Sequence, residues 1–129
     1  MDSKMDKHAL EERLIDFAVL IVEISNSMKD SKAANHLAGQ LLRSGTSPAL
    51  NYGEAQSGES RKDFIHKIQI VLKELRETHI CLKIIYKTLQ YTSKEKIDRA
   101  LVENNELISI FVKSVETARK NQEKSLITS

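Results

Sequence analysis

The chain is poor in the residues that make turns, disulfides and aromatic cores. Its 129 residues include no tryptophan, one proline, four glycines and one cysteine, and aromatic residues make up 5%. So few turn residues argue against a sandwich or barrel of many short strands. A lone cysteine, Cys81, cannot form an internal disulfide or a thiolate cluster, which is typical of a reducing compartment.

Signals for export and membrane insertion are also missing from the sequence. No run of 18 apolar residues occurs, so no membrane-spanning helix is predicted. The segment Met1–Asp6 lacks the apolar stretch of a secretory signal. We therefore expect a cytoplasmic protein that has no membrane partner.

The charge is small overall but unevenly placed. A formal net charge of +2 is far below the excess of a dedicated DNA-binding domain. Residues 1–30 carry four Lys/Arg against seven Asp/Glu, whereas residues 58–92 carry seven against four. These two segments could face each other or face different partners.

Apolar residues recur at helical spacing through most of the chain. In the first segment, about residues 8–28, they step by four and three at Leu10, Leu14, Phe17, Ile21, Ile24 and Met28. Similar patterns over about 31–56, 61–91 and from Ser93 onward predict three more helices. The fold predicted is an all-α, antiparallel, up-down-up-down four-helix bundle, one domain over residues 1–129. We expect an ordered core over about residues 8–120 and a frayed tail at 121–129.

Pro48 complicates the second predicted helix. An interior proline removes one backbone hydrogen bond and costs about 3 kcal/mol. Ser47 and Pro48 could instead begin a new helix, as cap and first residue. We favour a single helix kinked near Pro48, because Leu41, Tyr52 and Ala55 keep one face across the proline.

The third helix has apolar residues on a second side. Ile70 and Ile84 project away from the inner residues Ile68, Leu75 and Leu82. Scattered exposed isoleucines are normal on any surface, but a second stripe favours a partner surface. The predicted oligomer interface comprises Ile70, Lys73, Glu77, Cys81 and Ile84. By itself, Cys81 is best interpreted as a small buried hydrophobic residue.

No constellation of residues points to catalysis, a metal or a cofactor. A di-metal bundle needs two Glu-x-x-His pairs. The chain has only one acidic residue three positions before a histidine, which is Asp63 before His66. Glu74 and Glu77 are interpreted as salt-bridging residues, and His79 as a hydrogen-bonded structural histidine near the inner face. The small residues 44–47 are interpreted as a site of close helix packing rather than a phosphate loop.

Basic residues give the third helix a weak phosphate-binding character. The candidate nucleic-acid contacts are Arg61, Lys62, Lys67, Lys83 and Lys87. Few aromatic residues lie among them for base stacking, and a solvated, salt-bridged face is the alternative interpretation. Repeated around a ring, these charges would add up, because phosphate contacts accumulate charge by charge.

The central segment resembles a known family. The matching motifs are residues 41–47 (LLRSGTS), 51–55 (NYGEA), 60–67 (SRKDFIHK) and 72–78 (LKELRET). Together they resemble the four-helix-bundle proteins of the 23S rRNA intervening-sequence family. The resemblance implies a ring-like homopentamer without an established biochemical role, with no catalytic residues to carry over. Its charged motif positions imply a network within or between subunits that includes Glu54, Arg61, Glu74 and Arg76.

The same resemblance bears on partners. The family is similar in fold to accessory proteins of diversity-generating retroelements, which form basic pentameric barrels that engage nucleic acid and a reverse transcriptase. By analogy we expect a non-enzymatic scaffold associated with RNA or another nucleic acid. The alternative is an adaptor that binds a protein and makes no nucleic-acid contact.

Overall fold

Four α-helices make up nearly all of the structure. The computed structural model describes residues 6–57 and 60–128. The helices are α1 (Lys7–Asn26), α2 (Lys32–Gln56), α3 (Arg61–Lys87) and α4 (Lys94–Thr128). The all-α prediction is therefore confirmed. Residues 58 and 59, between the second and third predicted helices, lie outside the described residues.

Side-chain caps set where the helices begin. Asp6, Ser31 and Ser60 each accept a hydrogen bond from the backbone N–H three residues later, and Ser93 accepts one from Lys96 at 3.2 Å. Each cap satisfies a donor that the first turn would otherwise leave free. The cap of α2 is Ser31 and not the adjacent Asp30.

The helix ends differ from the predicted ones by a few residues. α3 ends at Lys87 rather than near Tyr91, and Leu89 turns the chain with a φ of 57°. α4 continues to Thr128, beyond the expected end of the core near residue 120. Few apolar residues follow residue 120, which weakens the periodicity there, but residues such as Gln122, Glu123 and Lys124 are good helix formers.

α2 is one helix and not two. Pro48 lies inside it and is buried, so the interpretation with a new helix beginning at Pro48 is wrong. The bend expected at Pro48 stays a prediction. Burial of the proline ring against the core can offset the missing backbone hydrogen bond.

Each helix packs against its neighbours in the chain, and α1 also packs against α4. The α1–α2 and α3–α4 connections meet at one end of the bundle, where the Lys29 N–H donates to the Gln90 carbonyl at 3.0 Å. α1 and α3 therefore run in one direction and α2 and α4 in the other. Within the described residues α1 and α3 make no close backbone contact, which places them at opposite corners.

The core is built from the inward faces of all four helices. Its largest fully buried side chains include Phe17, Leu41, Leu75, Leu82 and Phe111. The rings of Tyr52 and Phe111 meet edge to face, with centroids 5.7 Å apart. Burial of Tyr52 raises the pKa of its hydroxyl.

Candidate interaction surfaces

Small and hydroxyl side chains let α2 approach both of its neighbours. A Cβ built on Gly45 would lie 2.6 Å from Cγ2 of Ile21 on α1, so only glycine fits there. One residue earlier, Ser44 accepts a hydrogen bond from the Thr78 hydroxyl of α3 at 3.0 Å, and both residues are buried. The predicted close packing of this small-residue segment is confirmed.

An arginine on α2 holds two carboxylates of α3. Arg43 donates to Glu74 at 3.1 Å and to Glu77 at 3.4 Å. Burial, followed by the interaction with Glu77, raises the pKa of Glu74. Glu77 is more exposed, and its interactions with Glu74 and Arg43 lower its pKa. This cluster joins α2 to α3.

The predicted charged network is split in the structure. Glu54 pairs with Lys67 and Glu74 pairs with Arg43, so these two carboxylates belong to separate ion pairs. Arg61 and Arg76 are exposed and form no ion pair with a described residue. The sequence motif did not reveal the partners, because Arg43 comes from a different helix and Lys67 faces α2 rather than solvent.

The outward face of α3 differs in part from the predicted interface. Ile84 and Ile80 are 43% and 57% exposed, and Lys73 and Glu77 are exposed beside them. Ile70 is half-buried. We call Leu72, Ile80 and Ile84 with the polar residues between them the α3 outer face. A shallow depression on it is lined by Gln69, Leu72, Lys73, Arg76, Glu77 and Ile80.

Cys81 does not belong to the α3 outer face. Its side chain is buried between α3 and α2, and the thiol lies 3.7 Å from the Leu37 carbonyl oxygen. Burial raises the pKa of the thiol to about 11. The interpretation of Cys81 as a buried hydrophobic residue is confirmed. Its place in an outward interface does not agree with the structure, because α2 lies against this side of α3.

Four of the five candidate nucleic-acid contacts reach solvent. Arg61, Lys62, Lys83 and Lys87 are exposed, whereas Lys67 is half-buried and paired with Glu54. Arg61 and Lys62 lie in the first turn of α3, and Lys87 ends that helix. The free positive charges are therefore spread over the length of the helix and do not form one patch.

The histidine and carboxylate side chains of the described residues do not gather into a group that could hold a metal ion. No group of three or more His, Cys, Asp or Glu side chains converges there, and Asp63 and His66 are both exposed. The Nδ1 atom of His79 lies 2.9 Å from Asn104 Oδ1, and the Asn104 amide donates to the Leu75 carbonyl. His79 is thus the hydrogen-bonded structural histidine that was predicted. No helix in this part of the chain is long and apolar enough to cross a membrane.

Two features were not found from the sequence. Arg13 of α1 donates to both carboxylate oxygens of Glu103 on α4, at 2.6 and 2.8 Å, and this pairing raises its pKa. The partner is 90 positions away, so spacing gave no signal. The second feature is an exposed apolar stripe on α1, at Ile15, Val19 and Val22. Its spacing of four and three is present in the sequence, but the longer series of inner residues that begins at Leu10 was taken as the only apolar face of the helix.

Comparison with known proteins decides the family. A family model described as 23S rRNA-intervening sequence protein matches residues 7–113. The chain belongs to this family. The match covers the first three helices and more than half of α4, and it confirms the resemblance based on the central motifs.

A solved structure has the same fold. It is a protein of unknown function from the S23 ribosomal protein family of Bacteroides thetaiotaomicron, 29% identical in sequence, with a TM-score of 0.77. The alignment covers 87% of this chain and 99% of that one. No curated protein matches the chain. Family and structural neighbour thus establish the four-helix architecture and carry no assigned activity.

Proposed function

We propose that this intervening-sequence family protein is a non-enzymatic homo-oligomeric scaffold that associates with RNA. The observation that carries the proposal is the α3 outer face. Ile80 and Ile84 are exposed there, although the same helix has a complete inner face. A helix in a monomeric bundle needs only one apolar face, and a second one favours association.

For the number of subunits we rely on the family resemblance. It implies a ring of five copies, and we adopt that number for the assembly. A cytoplasmic location fits the single cysteine, which is buried and uncrosslinked.

The RNA part of the proposal is supported by exposed charge and by the family description. Arg61, Lys62, Lys83 and Lys87 leave their cationic groups in solvent. One subunit offers few such groups, but a ring would repeat them several times, and the affinity for phosphates grows with the number of contacts. The family description refers to 23S rRNA intervening sequences, which favours RNA over DNA as the first nucleic acid to test.

A protein adaptor is the second candidate function. Tyr86 and Tyr91 stack with centroids 6.0 Å apart, and Leu89 beside them is 57% exposed. An exposed aromatic and apolar cluster is typical of protein-binding surfaces. The net charge of only +2 also gives weak long-range attraction to RNA.

Light scattering at low and moderate salt, with and without bacterial RNA, tests the proposal. We expect the mass of about five subunits without RNA and a higher mass with RNA that reverses in salt. An assembly that ignores RNA would favour the adaptor. A monomer at tens of micromolar would refute the scaffold itself.

A matched pair of variants tests the surface. Ile84→Glu places a charge in the proposed contact and should release folded, helical subunits. Leu50→Glu, at a 68% exposed position on α2, should leave the mass unchanged. An assembly that survives Ile84→Glu would mean that the α3 outer face is not the contact.

A further inference from the structure

The outward side of α1 is apolar, like that of α3. Ile15, Val19 and Val22 are 40%, 51% and 37% exposed, and they project opposite to the buried residues Leu14, Phe17 and Ile21. We call these three residues the α1 outer stripe. Three β-branched apolar residues on consecutive turns favour packing against another helix, and no helix in the described part of the chain covers them.

The two apolar surfaces lie on opposite sides of the bundle. α1 and α3 each pack against α2 and α4 but not against each other within the described residues. Their outward sides therefore face in opposite directions. A single self-complementary patch would produce a two-fold dimer, whereas two different patches on opposite sides produce head-to-tail contacts. We propose that the α1 outer stripe of one copy packs on the α3 outer face of the next, an inference that rests on the proposed assembly.

The heights of the two surfaces meet one requirement of a closed ring. Ile21 of α1 meets Gly45 of α2, and the adjacent Ser44 bonds to Thr78 of α3. Ile21 and Thr78 are thus at about the same level along the bundle. Residues 15–22 of α1 are then level with residues 72–79 of α3, so the α1 outer stripe matches the part of the α3 outer face from Leu72 to the turn that holds Ile80. α1 and α3 also run in the same direction, so copies can join side by side without an axial step, as closure requires.

Charge complementarity favours a second copy as the occupant. Glu12 and Asp16 beside the α1 outer stripe are exposed and form no ion pair with a described residue, and the same holds for Arg76 and Lys83 on α3. Asp16 lies on the α4 side of α1, one helical turn after Arg13, which contacts α4. Arg76 lies on the α4 side of α3, one turn before His79, which also contacts α4. A rotation about an axis parallel to the helices would bring these opposite charges to the same side of the contact.

This contact would leave the first turn of α3 exposed to solvent. Arg61 and Lys62 lie about four helical turns before Arg76, beyond the level of the α1 outer stripe. They would remain available to RNA on the assembled ring, whereas Lys83 would be used between subunits.

Cross-linking tests the proposal directly. In a Cys81→Ala background, Val19→Cys and Ile80→Cys subunits are mixed, allowed to exchange, and treated with a short bis-maleimide. We expect linked dimers only in the mixture. The double variant should give a covalent ladder that stops at the ring size. Leu50→Cys mixed with Val102→Cys, positions 68% and 61% exposed on α2 and α4, is the matched control and should give none.

Three outcomes overturn the inference. Linked dimers of Val19→Cys alone would indicate a two-fold contact. No linkage between positions 19 and 80 while the variants keep the wild-type assembly mass would place the contact elsewhere and leave the proposed scaffold intact. A monomeric wild-type chain would refute both.

A charge exchange provides the second measurement. Arg76→Glu should weaken association about tenfold at low salt, a modest effect because the pair is on the surface. Adding Asp16→Arg in the same chain should restore the wild-type mass, since head-to-tail copies bring the two positions together. A double variant as weak as Arg76→Glu alone would refute the proposed register.

Discussion

The side of α3 that faces α2 carries polar groups, whereas the side that faces solvent carries isoleucines. Glu74 and Thr78 are buried against α2 and each has a partner, Arg43 or Ser44. Ile80 and Ile84 are exposed and have none. Partnered polar groups specify one register between two helices, because a shift would leave them buried and unsatisfied. Exposed isoleucines do not fix the register of any helix pair within a subunit, so we explain them by a contact with another molecule.

The largest expected difference between the two sides is in their contribution to stability. Leu82→Ala removes a fully buried side chain and should lower the free energy of unfolding by about 2–5 kcal/mol. Ile80→Ala, at a 57% exposed position, should change the stability of an isolated subunit by no more than about 0.5 kcal/mol. Urea unfolding of both variants measures this difference.

Protein concentration separates the two variants further. The loss of unfolding free energy caused by Leu82→Ala should not depend on protein concentration as long as the oligomeric state of the wild type stays the same. The cost of Ile80→Ala should grow as the wild type assembles, since association stabilises the folded state by mass action. An Ile80→Ala cost that is the same for dilute and concentrated protein would contradict the assignment of this side to a subunit contact.

A pair of glycines in α2 tests how closely the inner sides are packed. Gly45→Ala forces a Cβ to 2.6 Å from Ile21 and should destabilise the protein by about 1–3 kcal/mol. Gly39 has no atom within 4 Å of a built Cβ. Gly39→Ala should therefore stabilise the helix by about 0.5–1 kcal/mol. Thermal or urea unfolding would show the opposite signs, and a stabilising Gly45→Ala would mean that α1 and α2 can separate without cost.

The helices and the residues at which they begin could be predicted from local sequence, whereas the ion-pair partners on other helices could not. The periodicity of Leu10, Leu14 and Phe17 and the caps Ser60 and Ser93 are local signals, and the structure contains the corresponding helices. The pairing of Arg43 with Glu74 and of Arg13 with Glu103 depends on which helices are neighbours. Cys81 was misplaced for the same reason, since its burial depends on the position of α2 beside it.

The smallest of these effects concerns the carboxylates between α2 and α3. Burial raises the pKa of Glu74 above the ordinary value of 4.5, so the folded state binds this proton more tightly than the unfolded state does. Its contribution to stability must then fall as the pH rises from about 4.5 through the raised pKa. Glu77 acts in the opposite direction, because its lowered pKa gives a contribution that is complete above about pH 4.5 and is lost on acidification.

Glu74→Gln should remove the fall in stability above pH 4.5 while the amide oxygen still accepts a hydrogen bond from Arg43. Glu116→Gln, an exposed position on α4, controls for the loss of one negative charge. Urea unfolding at pH 4.5, 5.5 and 7 would show a flatter pH dependence for Glu74→Gln than for the wild type. Parallel curves would mean that Glu74 is solvated in solution, and that the polar contact between α2 and α3 is less closely packed than the buried Ser44–Thr78 pair beside it.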